Sequence, residues 1–274
     1  MATKGGGRGS SDPNRRPTKA ERREDARRQR EQIQRQMARR RRNRSIGLVL
    51  VVVAIVTVVI VVFTTAGGGG TSVAAAADLL KQASSARKTA GCEPVQTIDF
   101  YGGVSDTNSP DYHDQTHIGT TGAFPTPPKL STYPSVPPTS GPHDPTPLPA
   151  GVYDTPPAIY SAIHSLEHGG VIIWYAPGIS SSELNRLKAF YRQSSGKTNV
   201  GQDRVIVAPY DYPDQGAAGQ LPSGVQMALV AWHRLETCGQ VNLAAAFDFS
   251  SQYEYPVYDG RKWLGVAPER GAAM

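Results

Sequence analysis

Between Ile46 and Thr65 the chain reads IGLVLVVVAIVTVVIVVFTT, with no charge and no proline. At about 1.5 Å rise per residue, about twenty helical residues cross a hydrocarbon core of about 30 Å. A helix buried in a water-soluble protein rarely runs so far without a polar interruption, so the spacing predicts a transmembrane helix over 46–66. Arg39, Arg40, Arg41, Arg42 and Arg44 stand directly before it, and Gly67 to Gly70 follow it. Under the positive-inside bias the arginine cluster acts as a topology signal that keeps the N-terminus cytoplasmic and sends the C-terminal part across. The tail is too long and the apolar core too extended for a cleaved signal peptide, although Val73 to Ala77 offer small residues to a peptidase. Cys92 lies too far beyond the apolar core for lipoprotein processing.

Charge divides the chain in the same way. Residues 1–45 carry 16 Lys and Arg against 5 acidic residues, while the remainder is net acidic by 5. The overall +6 therefore describes a tail. Next to an apolar span, such a tail predicts docking on anionic lipid at about 1 kcal/mol per basic residue rather than nucleic-acid binding. Thr18 and Glu21 have capping-box spacing, but apolar positions are too sparse for a buried helical face. The expected division is a basic tail over 1–45, a transmembrane helix over 46–66, a Gly-rich exit and stalk helix over 67–90, an exported domain over 91–269 and a short tail over 270–274. The predicted location is the cell membrane, single-pass, with the domain outside the cytoplasm.

Within the exported part, Gln96 to Tyr101 is a short strand candidate. The tract from Pro110 to Pro157 then carries 13 of the 22 prolines. Proline fixes φ and removes a backbone donor, so this tract predicts an irregular packed arm rather than sheet interior. Val171 to Tyr175 (VIIWY) is a continuous apolar run, as expected of a strand buried on both faces. Ser180 and Glu183 have capping-box spacing ahead of Leu184, Leu187 and Tyr191 on one helical face. Arg204 to Tyr210 and Gln226 to His233 read as further strands, and Val241 to Phe249 as a closing helix. A β-α-β-β-α order implies a mixed sheet whose first two strands run parallel through a right-handed crossover. The fold class is thus α+β: a single transmembrane helix, then an exported domain with a small mixed β-sheet, two or three packing helices and a long proline-rich irregular arm.

The only two cysteines, Cys92 and Cys238, both fall on the exported side, where disulfides persist. Without CxxC spacing the pair predicts a disulfide. A loop of this length constrains the unfolded chain by about 5 kcal/mol in the entropy model. All six histidines lie between residues 113 and 233. In His164-Ser165-Leu166-Glu167-His168 the two imidazoles project together whether the segment is helical or extended. Three readings stay open. One is a transition-metal site of His143, His164 and His168, with His117 as a further ligand, Glu167 as an orienting group, and zinc or copper as the ion. A second is hydrolysis on the inverted His-x-x-Glu-His zinc pattern, which needs a further acidic ligand such as Glu236, Glu254 or Glu269. The third is a structural polar network in an envelope scaffold that binds a protein partner, for which Tyr253, Tyr255 and Tyr258 are candidate aromatic contacts. Ser140, His143 and Asp144 are adjacent, but adjacency is not triad geometry, and no catalytic residue is assigned.

Taken together, Pro137-Pro138-Thr139-Ser140-Gly141-Pro142-His143, His164-Ser165-Leu166-Glu167-His168-Gly169-Gly170-Val171, Arg204-Val205-Ile206-Val207-Ala208-Pro209 and Ala231-Trp232 resemble a bacterial domain-of-unknown-function family, number 3105. The resemblance covers roughly Cys92 to Glu269. It implies a basic tail, one anchor and an exported domain, and it implies that His143, His164, Glu167 and His168 belong to the family pattern. His117, in Asp114-Gln115-Thr116-His117, matches a further family histidine. His233 departs from the glycine expected after Ala-Trp, which removes it from any shared site. The resemblance implies no activity.

Overall fold

Strict alternation along three short apolar runs builds this domain in layers. In the computed structural model, which describes residues 73–119, 123–194 and 203–274, these runs form β3 (Val171–Tyr175), β4 (Val205–Pro209) and β5 (Met227–Ala231), each buried at every position. They are the centre of a six-stranded sheet completed by β1 (Gln96–Thr97), β2 (Gly151–Val152) and β6 (Arg234–Cys238), in the order β1-β6-β5-β3-β4-β2. β3 runs parallel to β4 and antiparallel to β5, and β5 returns as a hairpin into β6.

The period of two sends alternate residues to opposite cores. Val171, Ile173, Tyr175, Val205, Val207, Met227 and Leu229 face one core, whose helices are α1 (Val73–Ala90), α3 (Ser182–Ser194) and α4 (Leu243–Tyr253). Ile172, Trp174, Ile206, Ala208, Ala228 and Val230 face the other, covered by α2 (Ile159–Glu167) and by Leu130 and Tyr133 of the irregular arm. Each fully buried Val, Ile or Leu contributes roughly 1.5–3 kcal/mol relative to exposure.

Local chemistry sets the helix ends. The Asn242 side chain accepts from the amides of Ala244 and Ala245 at 2.9 and 3.2 Å and so starts α4. α3 is capped by Ser181, whose hydroxyl accepts from the Leu184 amide at 3.0 Å. That corrects the Ser180–Glu183 capping box: the cap lies one residue later, and Glu183 instead pairs with Arg186 and accepts from the Leu243 amide. In α1, Ala76, Leu79, Ala83, Ala86 and Ala90 are buried at three- and four-residue steps, and this face packs on α4. The helix expected as a stalk thus packs against the sheet-and-helix part through this face. Its last turn carries Arg87, which pairs with Glu236 of β6 (2.6 and 3.0 Å) and with Asp248 of α4.

Directly after α1, Cys92 is bonded to Cys238 at the end of β6, as the cysteine count predicts. The Glu93 amide donates to Thr237 O at 2.9 Å beside it. Among the described residues of the arm between Ile98 and Ala150 the chain is irregular apart from short 3-10 turns, but Tyr133, Pro137, Thr139, Ser140 and His143 within it are buried.

The fold-class expectation needs correction. The α+β mixed sheet is present, with six strands and four α-helices among the described residues. No helix among them is long and apolar enough to cross a membrane. Helices facing a sheet bury one stripe and stay polar on the other, as α3 does with Leu184 and Leu187 inside and Glu183 and Arg186 outside. The segment 46–66 on which the spanning helix rested, and the arginine cluster before it, lie outside the described residues. The hairpin partner β6 carries no apolar run of its own, because its sequence, RLETC, mixes charge with apolar positions. Tyr253 and Tyr258 are buried, so they form no exposed aromatic patch.

Candidate metal centre

The string HSLEHGG is the end of a helix. With α2 closing at Glu167 and His168 as its C-cap, the Gly170 amide donates to Ser165 O at 2.8 Å and the Gly169 amide to Leu166 O at 3.0 Å. This is the Schellman pair, and Gly169 takes the left-handed φ of +87° it requires. Gly170 is needed for closeness: a Cβ there would stand 2.7 Å from Ser165 O. The helix thus stops with His164 and His168 one turn apart on the same face, the Nε2 atoms 2.9 Å from each other.

The string PPTSGPH brings the third histidine. Tyr133 donates its hydroxyl to Pro142 O, Ser140 Oγ donates to Asp114 Oδ1 at 2.8 Å, and the Gly141 amide donates to Asp114 O at 3.0 Å. Gly141, at φ +109°, has no room for a side chain between Tyr133 and Tyr101. Main-chain bonds from His143 N to Thr116 O (3.0 Å) and from Ile118 N to His143 O (2.8 Å) set His117 beside His143. The His117 ring stacks on that of His164, with centroids 4.9 Å apart.

Each of the three deeper imidazoles has its Nδ1 against a main-chain carbonyl: His143 on Gly141 O (2.8 Å), His164 on Asp144 O (2.6 Å) and His168 on Ala273 O (2.6 Å). A carbonyl only accepts, so Nδ1 carries the proton, and in a neutral ring so held Nε2 presents a lone pair inward. This is the orientation in which metal-ligating histidines are held. His143 is fully buried, and its Nε2 lies 2.9 Å from Glu167 Oε2 but off the line of a hydrogen bond, so among the described residues it has no hydrogen-bond partner. Burial, opposed by the bond to the Asp144 carbonyl and reinforced by the rings of His143, His168 and His117, pushes His164 down to about 4. Burial and the neighbouring His143 also lower His117, against the pull of Glu167 and Glu269. These two rings are therefore neutral near pH 7, the form that ligates.

His117, His143, His164 and Glu167 each bring one ligand atom into a group in which all lie within 4.8 Å of one another. Ligands at about 2.0–2.1 Å from a tetrahedral ion are separated by roughly 3.4 Å, so modest closure completes such a site. His168 belongs to a second group, with His164 and Glu269. The expected ligand set is thus divided, with His164 common to both parts. Glu167, expected as an orienting group, brings a carboxylate oxygen into the first group. Cys92, Glu236 and Cys238 also lie close, but both sulfurs are consumed by the disulfide.

Other sequence candidates fall elsewhere. His233, at φ +54° in the β5–β6 turn, bonds Ile98 O and Asp114 Oδ2, both at 2.9 Å, which fits a position where glycine is the easier residue. Ser140 faces Asp114 and not His143, so no triad exists there. Glu254 is buried against the Arg204 amide. Glu269, by contrast, reaches the cluster because its amide donates to Glu167 O at 3.1 Å, a pairing across a hundred residues that no local pattern signals.

A mixed sheet clamped by a disulfide, with a histidine–carboxylate cluster held between one helix end and a buried proline-rich loop, defines an α+β domain built around a polar centre. Residues 128–262 match the profile of the family described as Protein of unknown function (DUF3105), and the chain carries a domain of that family. His143, His164, Glu167 and His168 lie inside the matched segment, and Cys92, His117 and Glu269 outside it. No curated protein and no solved structure matches the chain.

Proposed function

We propose that this domain binds one transition-metal ion, zinc or copper, through His117, His143, His164 and Glu167, and that it does so outside the cytoplasm. The observation that carries the reading is the His143 Nε2: a fully buried nitrogen, its lone pair directed inward by the Gly141 carbonyl, with no hydrogen-bond partner among the described residues. An unsatisfied polar group of this kind costs about 1–3 kcal/mol, which a bound cation removes. Imidazole with one carboxylate suits zinc, copper, iron or nickel, and leaves calcium and magnesium, which take all-oxygen shells, aside. The Cys92–Cys238 disulfide supports the location, since such bonds persist in oxidising compartments.

The test is the metal content of the full chain, made in an oxidising compartment without a histidine tag and kept in mild non-ionic detergent. Elemental analysis and calorimetric titration with zinc and copper are expected to give one tight equivalent. A double His143→Gln, His164→Gln variant with unchanged circular dichroism and an intact disulfide should lose it. Folded wild-type protein that binds neither ion overturns the proposal. Hydrolysis remains an outcome of the same material: Glu167→Gln would then retain metal and lose turnover on a peptide pool.

A further inference from the structure

We propose that His168 and Glu269, together with the shared His164, form an outer landing position from which the ion passes to the buried position. This rests on the metal reading above. The two positions overlap at one atom. His164 Nδ1 is committed to Asp144 O, so its Nε2 is the only nitrogen it can offer, and it serves one ion at a time.

The outer group differs from the inner one in access. Glu269 has a side chain 57% exposed, with Oε2 3.4 Å from His168 Nε2, whereas His143 and Glu167 are sealed at 0% and 2%. Glu269 is also held in place. Its amide donates to Glu167 O, the Gly271 amide donates to His168 O at 3.0 Å, and Arg204 donates to Ala272 O (2.5 Å) and Gly271 O (3.2 Å). The segment after Ala267 therefore lies across the helix end, and Ala273 O fixes the tautomer of His168. An exposed carboxylate at the mouth attracts the cation, and two inward lone pairs 2.9 Å apart receive it. Transfer requires only that the ion exchange His168 and Glu269 for His143, Glu167 and His117 while staying on His164. No bond of the protein is made or broken.

Stopped-flow binding of zinc to the full chain, followed with a competing fluorescent chelator, tests this. Wild type should bind one equivalent in two phases. Glu269→Gln should keep one equivalent but associate about tenfold more slowly, the low end of what electrostatic focusing supplies. His168→Gln should likewise lose the fast phase, whereas His143→Gln should retain the fast phase and lose tight retention. Identical association rates in wild type and Glu269→Gln, with one equivalent bound to each, overturn the landing position and leave the inner site standing. Two equivalents bound together overturn the sharing of His164. Absence of zinc from folded wild type removes the metal reading and this inference with it.

Discussion

Replacing Cys92 and Cys238 together by alanine opens a covalent loop whose ends are 146 residues apart. In the chain-entropy treatment, closing a loop of that length lowers the freedom of the unfolded chain by about 5 kcal/mol. Alanine adds no polar group at Cys238, which is buried. The native junction keeps its other ties. The Cys92 amide donates to Arg87 O at 2.9 Å, the Gly239 and Gln240 amides to Gly91 O and Ala90 O at 3.2 and 3.0 Å, and Arg87 still pairs with Glu236. The variant should therefore keep its fold and lose stability through the unfolded state. With a urea dependence of about 2 kcal/mol per molar, the unfolding midpoint should fall by about 2.5 M. The fluorescence of Trp174, fully buried in β3, reports the transition. Wild type unfolded in the presence of a reductant should coincide with the variant. A midpoint shift under about 0.5 M in both experiments would refute the loop-closure account.

Three further substitutions test the helix end, a comparison glycine and a buried carboxylate. Gly170→Ala places a Cβ 2.7 Å from Ser165 O and 3.1 Å from Arg204 O, both main chain, so α2 must shift against β4; the expected loss is about 1–3 kcal/mol in thermal or urea unfolding, with weakened metal retention. Gly178→Ala, at φ +74° with nothing within 4 Å, is the comparison and should cost only the left-handed penalty of about 1 kcal/mol with metal retention unchanged. Glu254 is raised well above the ordinary carboxylate range, chiefly by burial, with the Arg204 amide opposing and Asp203 adding to the rise. Its neutral form is the one the fold prefers, so its contribution is fully present below the unfolded value near 4.3 and is lost as pH rises through the folded one, at up to about 1.4 kcal/mol per pH unit. Glu254→Gln should flatten that fall in melting temperature as pH rises above about 5, and an unchanged slope would count against a neutral Glu254.

The central strands were legible because their cause is local. VIIWY, RVIVAPY and the core of QMALVAWH are apolar runs of strand length, and each became a buried strand to within a residue or two. The edges were not. β1 and β2 are two residues long, and β6 is amphipathic, so pairing with neighbours defines them rather than their own composition. At the site, the four-residue spacing of His164 and His168 puts both rings on one side of a helix or a strand alike, whereas main-chain pairing of the arm is what sets His117 beside His143. Glu269 was legible only as one of three equivalent acidic residues. What singles it out is main-chain pairing with Glu167, and what fixes the tautomers of His143, His164 and His168 is three carbonyls, at Gly141, Asp144 and Ala273. Carbonyls are the same in every residue, so a sequence carries no trace of which ones will be spent on a side chain.

Two polar networks buried in this one domain give the strongest ground for separating structure from ligand binding. Asp114 is fully buried and accepts from the Tyr101 amide (2.9 Å), from Ser140 Oγ (2.8 Å) and from His233 Nε2 (2.9 Å), while His233 Nδ1 donates to Ile98 O. Every nitrogen of His233 faces an acceptor, both oxygens of the carboxylate accept, and the network is closed; it ties the arm to the β5–β6 turn and asks for nothing more. The cluster of His143, His164 and His168 is arranged in the opposite sense. Its outer nitrogens are satisfied by carbonyls, and with all three rings neutral its inner nitrogens face one another, at 2.9 Å between His164 and His168, or, for His143, a carboxylate it does not hydrogen-bond. Lone pairs directed at lone pairs repel, and they do so more strongly in a buried place of low polarizability. A network selected only to hold loops together would follow the Asp114 pattern, and a proton can relieve only one such contact at a time. A cation at the centre relieves them all, and His164, which gains a second proton only below about pH 4, sets little proton competition against it.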